Sequence, residues 1–236
     1  MKTMQIFTPP IKFRLAIIGL LCGATIASLV LFRVRTIWSS SFDYAFLIWN
    51  MFLAWIPFAI AYTASVLAQK HRFMLFTIPF AAVLWLIFFP NAPYILTDLL
   101  HLSRMGHDVP IWFDVLLLIW FSWTGLLLGL VSLFFMHSIV IRELGRLIGW
   151  IFVLIVGMLT SLGIYMGRFL RWNSWDLFLQ PLERFTEFMY YATHPSMRSI
   201  MFISTFALFF LFVYITLYAF GLLFHEQARQ TFQDGP

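Results

Sequence analysis

Residues 111–136 read IWFDVLLLIWFSWTGLLLGLVSLFFM, an apolar run broken by one ionisable side chain, Asp114. At a rise of 1.5 Å per residue, a helix of this length crosses a hydrocarbon core of about 30 Å with residues to spare. Five further apolar runs accompany it: Leu15 to Phe32, Tyr44 to Ala68, Phe73 to Phe89, Leu147 to Met166 and Ile200 to Phe224. Charged or proline-containing stretches separate them. The expected fold class is therefore all-α, a polytopic transmembrane helical bundle of about six spans, forming one membrane domain over residues 1–236.

Composition points the same way. The chain is 62% hydrophobic and only 11% charged, against roughly 25% charged in soluble domains, so much of its apolar surface needs lipid as solvent. Tryptophan and tyrosine are frequent where spans should end, as expected of rings that sit at the headgroup level. The net charge of +5 comes from basic residues scattered singly or in pairs. Nucleic-acid binding needs a basic patch or stripe, so membrane lipids are the expected partners, nucleic acid is not, and protein partners are left open. One cysteine, Cys22, permits neither an intrachain disulfide nor a Cys-based metal cluster. The basic start, Met1 to Arg14, precedes an apolar run longer than a signal h-region of about 7–15 residues, with no small-x-small cleavage site. An uncleaved first span is expected.

Six spans put both termini on one side and bring the first, third and fifth loops to the other. Lys and Arg divide eight to seven between the two sides, too evenly for the positive-inside rule, although the basic start tips the termini toward the cytoplasm. Seven of the ten acids fall on the odd-loop face: Asp43, Asp98, Asp108, Asp114, Asp176, Glu183 and Glu187. Arg33, Arg35, Arg104, Arg168, Arg171, Arg184 and Arg198 balance them. That face has the ingredients for paired-charge networks. His71, His137 and His225 fall at span ends on the opposite face, where they read as headgroup-level residues. Gly125/Gly129, Gly145/Gly149 and Gly163/Gly167 have the small-xxx-small spacing that lets helix backbones approach, or are chance in glycine-tolerant spans. Pro57 should kink the second span.

Two polar stretches on the odd-loop face are candidates for chemistry. The first is PNAPYILTDLLHL, Pro90 to Leu102. Pro90 should end the preceding helix and Asn91 cap a new one, with Pro93 in its first turn. At 100° per residue, Tyr94, Thr97, Asp98 and His101 share one arc of a short amphipathic helix, at the interface or tucked into the bundle with its polar face toward protein. A carboxylate one turn from an imidazole suits acid or base work, making Asp98 and His101 the catalytic candidates. A hydrogen-bonded network locking the loop is the structural alternative. His107 and Asp108 lie nearby, but the spacing contains no metal-ligand motif, so no metal is assigned and the cofactor is undetermined.

The second stretch is GIYMGRFLRWNSWD, Gly163 to Asp176. Arg168 and Arg171, one turn apart, would present two guanidinium forks on nearly one side, suited to phosphate or carboxylate; alternatively they snorkel among belt tryptophans. Either arginine can pair with Asp98 or Asp114, because a charge inside the membrane boundary needs a partner. Asn50 and Asp43 can join such a pair. Beyond Asp176, Leu182, Phe185 and Met189 keep helical spacing, as in an interfacial helix that acts as a strap or lid.

The runs Pro90–Leu102 and Gly163–Asp176 resemble the signature segments of a bacterial multi-pass family, domain of unknown function 1361. The resemblance implies a helical bundle in the bacterial plasma membrane and brings no activity, substrate or cofactor with it. The residues themselves suggest binding of a polar or anionic group, such as a lipid headgroup, between the third and fifth loops. Asn91, Tyr94, Thr97, Arg168, Arg171, Asn173 and Asp176 are the ligand candidates. A membrane enzyme acting on a lipid-linked or phosphate-bearing substrate is the first alternative, and a transporter or accessory subunit the second.

Overall fold

The computed structural model describes residues 11–68, 74–104, 109–172 and 179–233. In chain order its helices are α1 (Ile11–Ser39), α2 (Phe46–Leu67), α3 (Met74–Phe88), α4 (Asn91–Tyr94), α5 (Ile111–Leu144), α6 (Arg146–Tyr165), α7 (Pro181–Thr193) and α8 (Met197–Gln233). α4 continues as a 3₁₀ segment, Ile95–Arg104, and α6 as a π turn, Met166–Leu170. Among the described residues, six stretches are long and apolar enough to cross a membrane: Lys12–Ser39, Phe46–Leu67, Ile78–Leu102, Ile111–Leu144, Arg146–Leu170 and Met197–Phe224. The chain is an all-α, multi-pass membrane bundle.

α5 is the central post. In its most apolar stretch 72% of residues are buried, against 17% for α1 and α8, which lie at the periphery. α1, α2, α6 and the α4–3₁₀ segment all pack on α5, while α3 leans on α2 and α8 on α6. The large apolar side chains left exposed, such as Leu20, Phe80 and Phe212, are unremarkable where lipid tails replace water. Inside the bundle, polar links join helices that have no hydrophobic force between them. Trp85 Nε1 donates to Ser132 Oγ at 2.6 Å, and that hydroxyl donates to the Pro57 carbonyl at 3.0 Å, tying α3 and α5 to the proline position of α2.

The third span is broken where the sequence reading places the break: α3 ends at Phe88 and α4 starts at Asn91 with Pro90 at its N-cap. The break is slight, because the Pro90 backbone is helical (φ −57°, ψ −26°) and the Tyr94 N–H bonds its carbonyl at 3.0 Å. Asn91 is the first residue of α4 and Pro90 holds the N-cap position; the Asn91 Nδ2 donates back to the Phe88 carbonyl at 2.9 Å. Prolines in a first turn lack only an N–H that would have no helical partner, so the chain keeps its direction. The stretch through Leu102 is continuous with the third apolar stretch and is tucked against the bundle with Thr97 and Asp98 buried, the second of the two placements expected for it.

Glycine pairs on two helices make room for it. A β-carbon on Gly125 would lie 2.8 Å from the Ala92 carbonyl oxygen, and one on Gly163 would lie 2.9 Å from Pro90 Cγ. Gly129 faces Ala92 and Pro93, and Gly167 faces the Tyr94 ring. Two of the three small-xxx-small faces therefore serve one purpose, close approach of this segment to α5 and α6. Ser122 Oγ adds a bond to the Ile95 carbonyl at 3.0 Å.

Two helices also outrun their apolar runs. α1 continues to Ser39, which places Arg33 and Arg35 on a helix. α5 continues to Leu144, and His137 is buried instead of headgroup-level, 1% exposed. Its Nδ1 lies 2.7 Å from the Tyr214 hydroxyl, and its ring is 4.9 Å from that of Trp150. The absent side chain of Gly149 leaves it that space. Gly145, between α5 and α6, has φ +92°, a left-handed conformation that favours glycine. His71 and the His225 side chain lie outside the described residues. α7 is amphipathic as expected, with Leu182 and Phe185 exposed, a form that suits the membrane interface.

Candidate functional site

Two buried charge clusters form where the first, third and fifth connections emerge. In the first, Asp98 is 1% exposed and its carboxylate is fully engaged. Arg168 Nη2 donates to Oδ1 at 2.5 Å, and Asn50 Nδ2 from α2 donates to Oδ2 at 2.7 Å. The other two nitrogens of the Arg168 guanidinium are bonded as well. Its Nε donates to Thr97 Oγ1 at 2.9 Å, Nη1 lies 2.9 Å from His101 Nε2, and the group sits 4.8 Å from the Tyr94 ring centroid. Because a guanidinium only donates, His101 Nε2 is the acceptor and the ring proton is on Nδ1. Thr97 Oγ1 donates in turn to the Tyr94 carbonyl at 2.7 Å.

Arg168 arrives there by an irregular route. It lies in the π turn, and Arg171, which follows, has φ +60°. A left-handed non-glycine residue beside a π turn is a local strain of the kind that collects at functional sites. These two irregularities separate the arginines. The expectation of two forks on one side assumed a regular helical phase, which is interrupted between residues 166 and 171. Arg168 turns toward Asp98, whereas Arg171 lines a cavity and, among the described residues, has no hydrogen-bond or ion-pair partner.

That cavity, about 660 Å³, lies between α2, α3 and α6, with Phe188 of α7 also on its wall. Asn50, Asn91, Tyr94 and Arg171 supply its polar groups; Trp49, Leu53, Leu86 and Leu159 are among its apolar ones. Of the residues singled out from the sequence, Asn91, Tyr94 and Arg171 face the cavity. Thr97, Asp98, His101 and Arg168 form the network behind Tyr94 and Asn50. Asn173, Asp176, His107 and Asp108 lie outside the described residues.

The second cluster was not anticipated as such. Arg35, 1% exposed, takes the Asp114 partner that had been considered for Arg168 or Arg171, with Nε to Oδ1 at 3.2 Å. Its Nη1 reaches Ser39 Oγ at 3.2 Å and Asp43 Oδ2 at 3.5 Å. Its guanidinium lies 4.5 Å from the Tyr44 ring centroid, and the Tyr44 hydroxyl donates to Asp114 Oδ2 at 3.3 Å. Counting Arg35 as a loop charge concealed this pairing; a longer α1 would have revealed it. Phe46 touches both clusters, its ring 6.1 Å from that of Tyr44 and 4.7 Å from that of His101.

Burial, and then the Asp114 carboxylate, push the Tyr44 hydroxyl up to about 12. With the folded value above the unfolded one of about 10, the Tyr44 contribution to stability is complete below pH 10 and is lost as pH rises toward 12. In a pH series of thermal unfolding, Tyr44→Phe is expected to flatten the fall in stability across that window. An unchanged fall would remove Tyr44 as its source.

Comparison with known proteins gives a family and no activity. The family model described as "Protein of unknown function (DUF1361)" matches residues 49–218, which include both polar stretches. No curated protein and no solved structure matches the chain.

Proposed function

The chain belongs to the DUF1361 family, and we propose that it binds an anionic group, phosphate-like in chemistry, in the cavity between its third and fifth connections. The observation that carries this reading is the unequal state of the two arginines. Arg168 has three of its five donors engaged, one on each nitrogen, by Thr97, His101 and Asp98. Arg171 faces an open cavity with none of its five donors engaged among the described residues. Arg171 is exposed, so an incoming anion can reach its guanidinium, and a counter-charge suits a cation at the membrane boundary. The Asn91 amide and the Tyr94 hydroxyl line the same space and can complete the grip.

The same geometry weighs against His101 as a general base oriented by Asp98. Its Nε2 lone pair already accepts from Arg168, and the Asp98 oxygens are taken by Arg168 and Asn50. The finer placement belongs to this reading too: a bacterial plasma membrane, supported by the motif resemblance, and cytoplasmic termini, supported by the basic start.

Arg171→Gln keeps the length and polarity of the side chain and removes its charge. Native mass spectrometry of protein purified in mild detergent should show a co-purifying anionic species on the wild type that falls at least about tenfold in this variant, the size of a lost charge-assisted contact. Thermal stability should stay within about 0.5 kcal/mol, as for a surface change. An equal adduct on both proteins would refute the anion-binding role.

A further inference from the structure

The walls of the cavity say more than its charged end. Leu159 and Arg171 both line it and are twelve residues apart in the chain, up to roughly 18 Å along a helix at 1.5 Å per residue. That reach is more than half of a hydrocarbon core of about 30 Å. Beside Arg171, Asn50, Asn91 and Tyr94, most of the lining is apolar, including Trp49 and Leu53 from α2, Leu86 from α3, and Leu159 and Met166 from α6. The volume of about 660 Å³ falls in the range of about 300–1,000 Å³ that encloses a drug-sized molecule. A free phosphate ion would meet Arg171 and leave the apolar walls facing water.

We propose that the occupant is an anionic amphiphile drawn from the bilayer, with a phosphate-bearing head at Arg171 and a hydrocarbon chain lying along α2, α3 and α6 toward Leu159. This rests on the Arg171 reading above and specifies its ligand. α7 fits the role of a guide from the membrane surface. Phe188 faces the cavity, the Arg184 guanidinium lies 5.2 Å from the ring centroid of the lining residue Trp172, and Leu182 and Phe185 project outward. An amphipathic helix of this kind seats in the headgroup region, beside the lipids from which such a ligand would come.

The test separates the two ends of the site. Full-length protein in phosphatidylcholine nanodiscs is supplied either with phosphatidylglycerol or with inorganic phosphate, and the bound species are read by native mass spectrometry. Leu159→Trp and, separately, Leu86→Trp fill the apolar end, while Arg171→Gln removes the charge; thermal unfolding identifies any variant that fails to fold. Phosphatidylglycerol retained by the wild type, reduced about tenfold or more by Arg171→Gln and by at least one tryptophan variant, and not displaced by inorganic phosphate, supports the proposal. Inorganic phosphate bound in an Arg171-dependent way, with both tryptophan variants unaffected, overturns the amphiphile and leaves the anion site standing. Binding of either probe that ignores Arg171→Gln, or no binding at all, overturns both.

Discussion

Asp98→Ala is expected to be the most damaging single substitution, costing about 3–5 kcal/mol because it leaves a charge without its counter-charge inside the bundle. Asp98 is 1% exposed and the Arg168 side chain 13%, so water cannot readily replace the lost partner. Once the carboxylate is gone, the guanidinium keeps, among the described residues, the Thr97 hydroxyl and His101 Nε2 as acceptors, and Asn50 loses the Asp98 acceptor as well. Against a typical stability of about 5–15 kcal/mol, that loss is a large fraction of the total. The yield of monodisperse protein in detergent and the unfolding temperature should both fall sharply. Asp98→Asn should do nearly as badly, since it preserves shape but not charge. A stable Asp98→Ala protein would mean that the ion pair does not hold the third span in place.

Gly125→Val ranks second. A β-carbon there would come within 2.8 Å of the Ala92 carbonyl oxygen and 2.7 Å of Ile95 Cδ1, and the first of these is backbone that cannot rotate away. Overpacking of this sort costs about 1–3 kcal/mol or more, and a branched residue adds further bulk. The harm should extend past stability, because pushing Pro90–Ile95 off α5 also shifts Tyr94, Thr97 and Asp98. Gly19→Ala on α1 supplies the control. Its β-carbon would meet nothing within 4 Å, and its unfolding temperature should match the wild type. Equal unfolding temperatures for Gly125→Val and Gly19→Ala would contradict close packing of the third span on α5.

Much of this architecture was legible in the residues. Span-length apolar runs prescribe the helices, and their even number brings the Asp98 and Arg168 stretches to one face. The arc of Tyr94, Thr97, Asp98 and His101 anticipated which side chains would gather. What was hidden depends on backbone phase and on helix length. The π turn at Met166–Leu170 and the left-handed Arg171 separate two arginines that a regular helix would align, and composition carries no sign of either. Pro90 reads as a stop and Pro93 as part of a new first turn, and the structure has both, but the Pro90 backbone stays helical, so the short helix extends the third span where a separate loop helix was expected. Arg35 and His137 were misplaced for a common reason. Hydropathy marks where a helix meets lipid, whereas α1 and α5 continue beyond that point because their neighbours bury the added turns.

The meeting of the third and fifth connections through a buried ion pair is most directly tested by a double-mutant cycle. The unfolding free energies of wild type, Asp98→Ala, Arg168→Ala and the double variant give the coupling between the two positions. Contacting groups in one network couple by about 0.5–3 kcal/mol, and the buried Asp98–Arg168 pair should fall in the upper half of that range, with the double variant more stable than the sum of the singles implies. Coupling within about 0.3–0.5 kcal/mol of zero, the behaviour of independent sites, would show that the two side chains do not meet, and the cavity framed by their helices would lose its foundation.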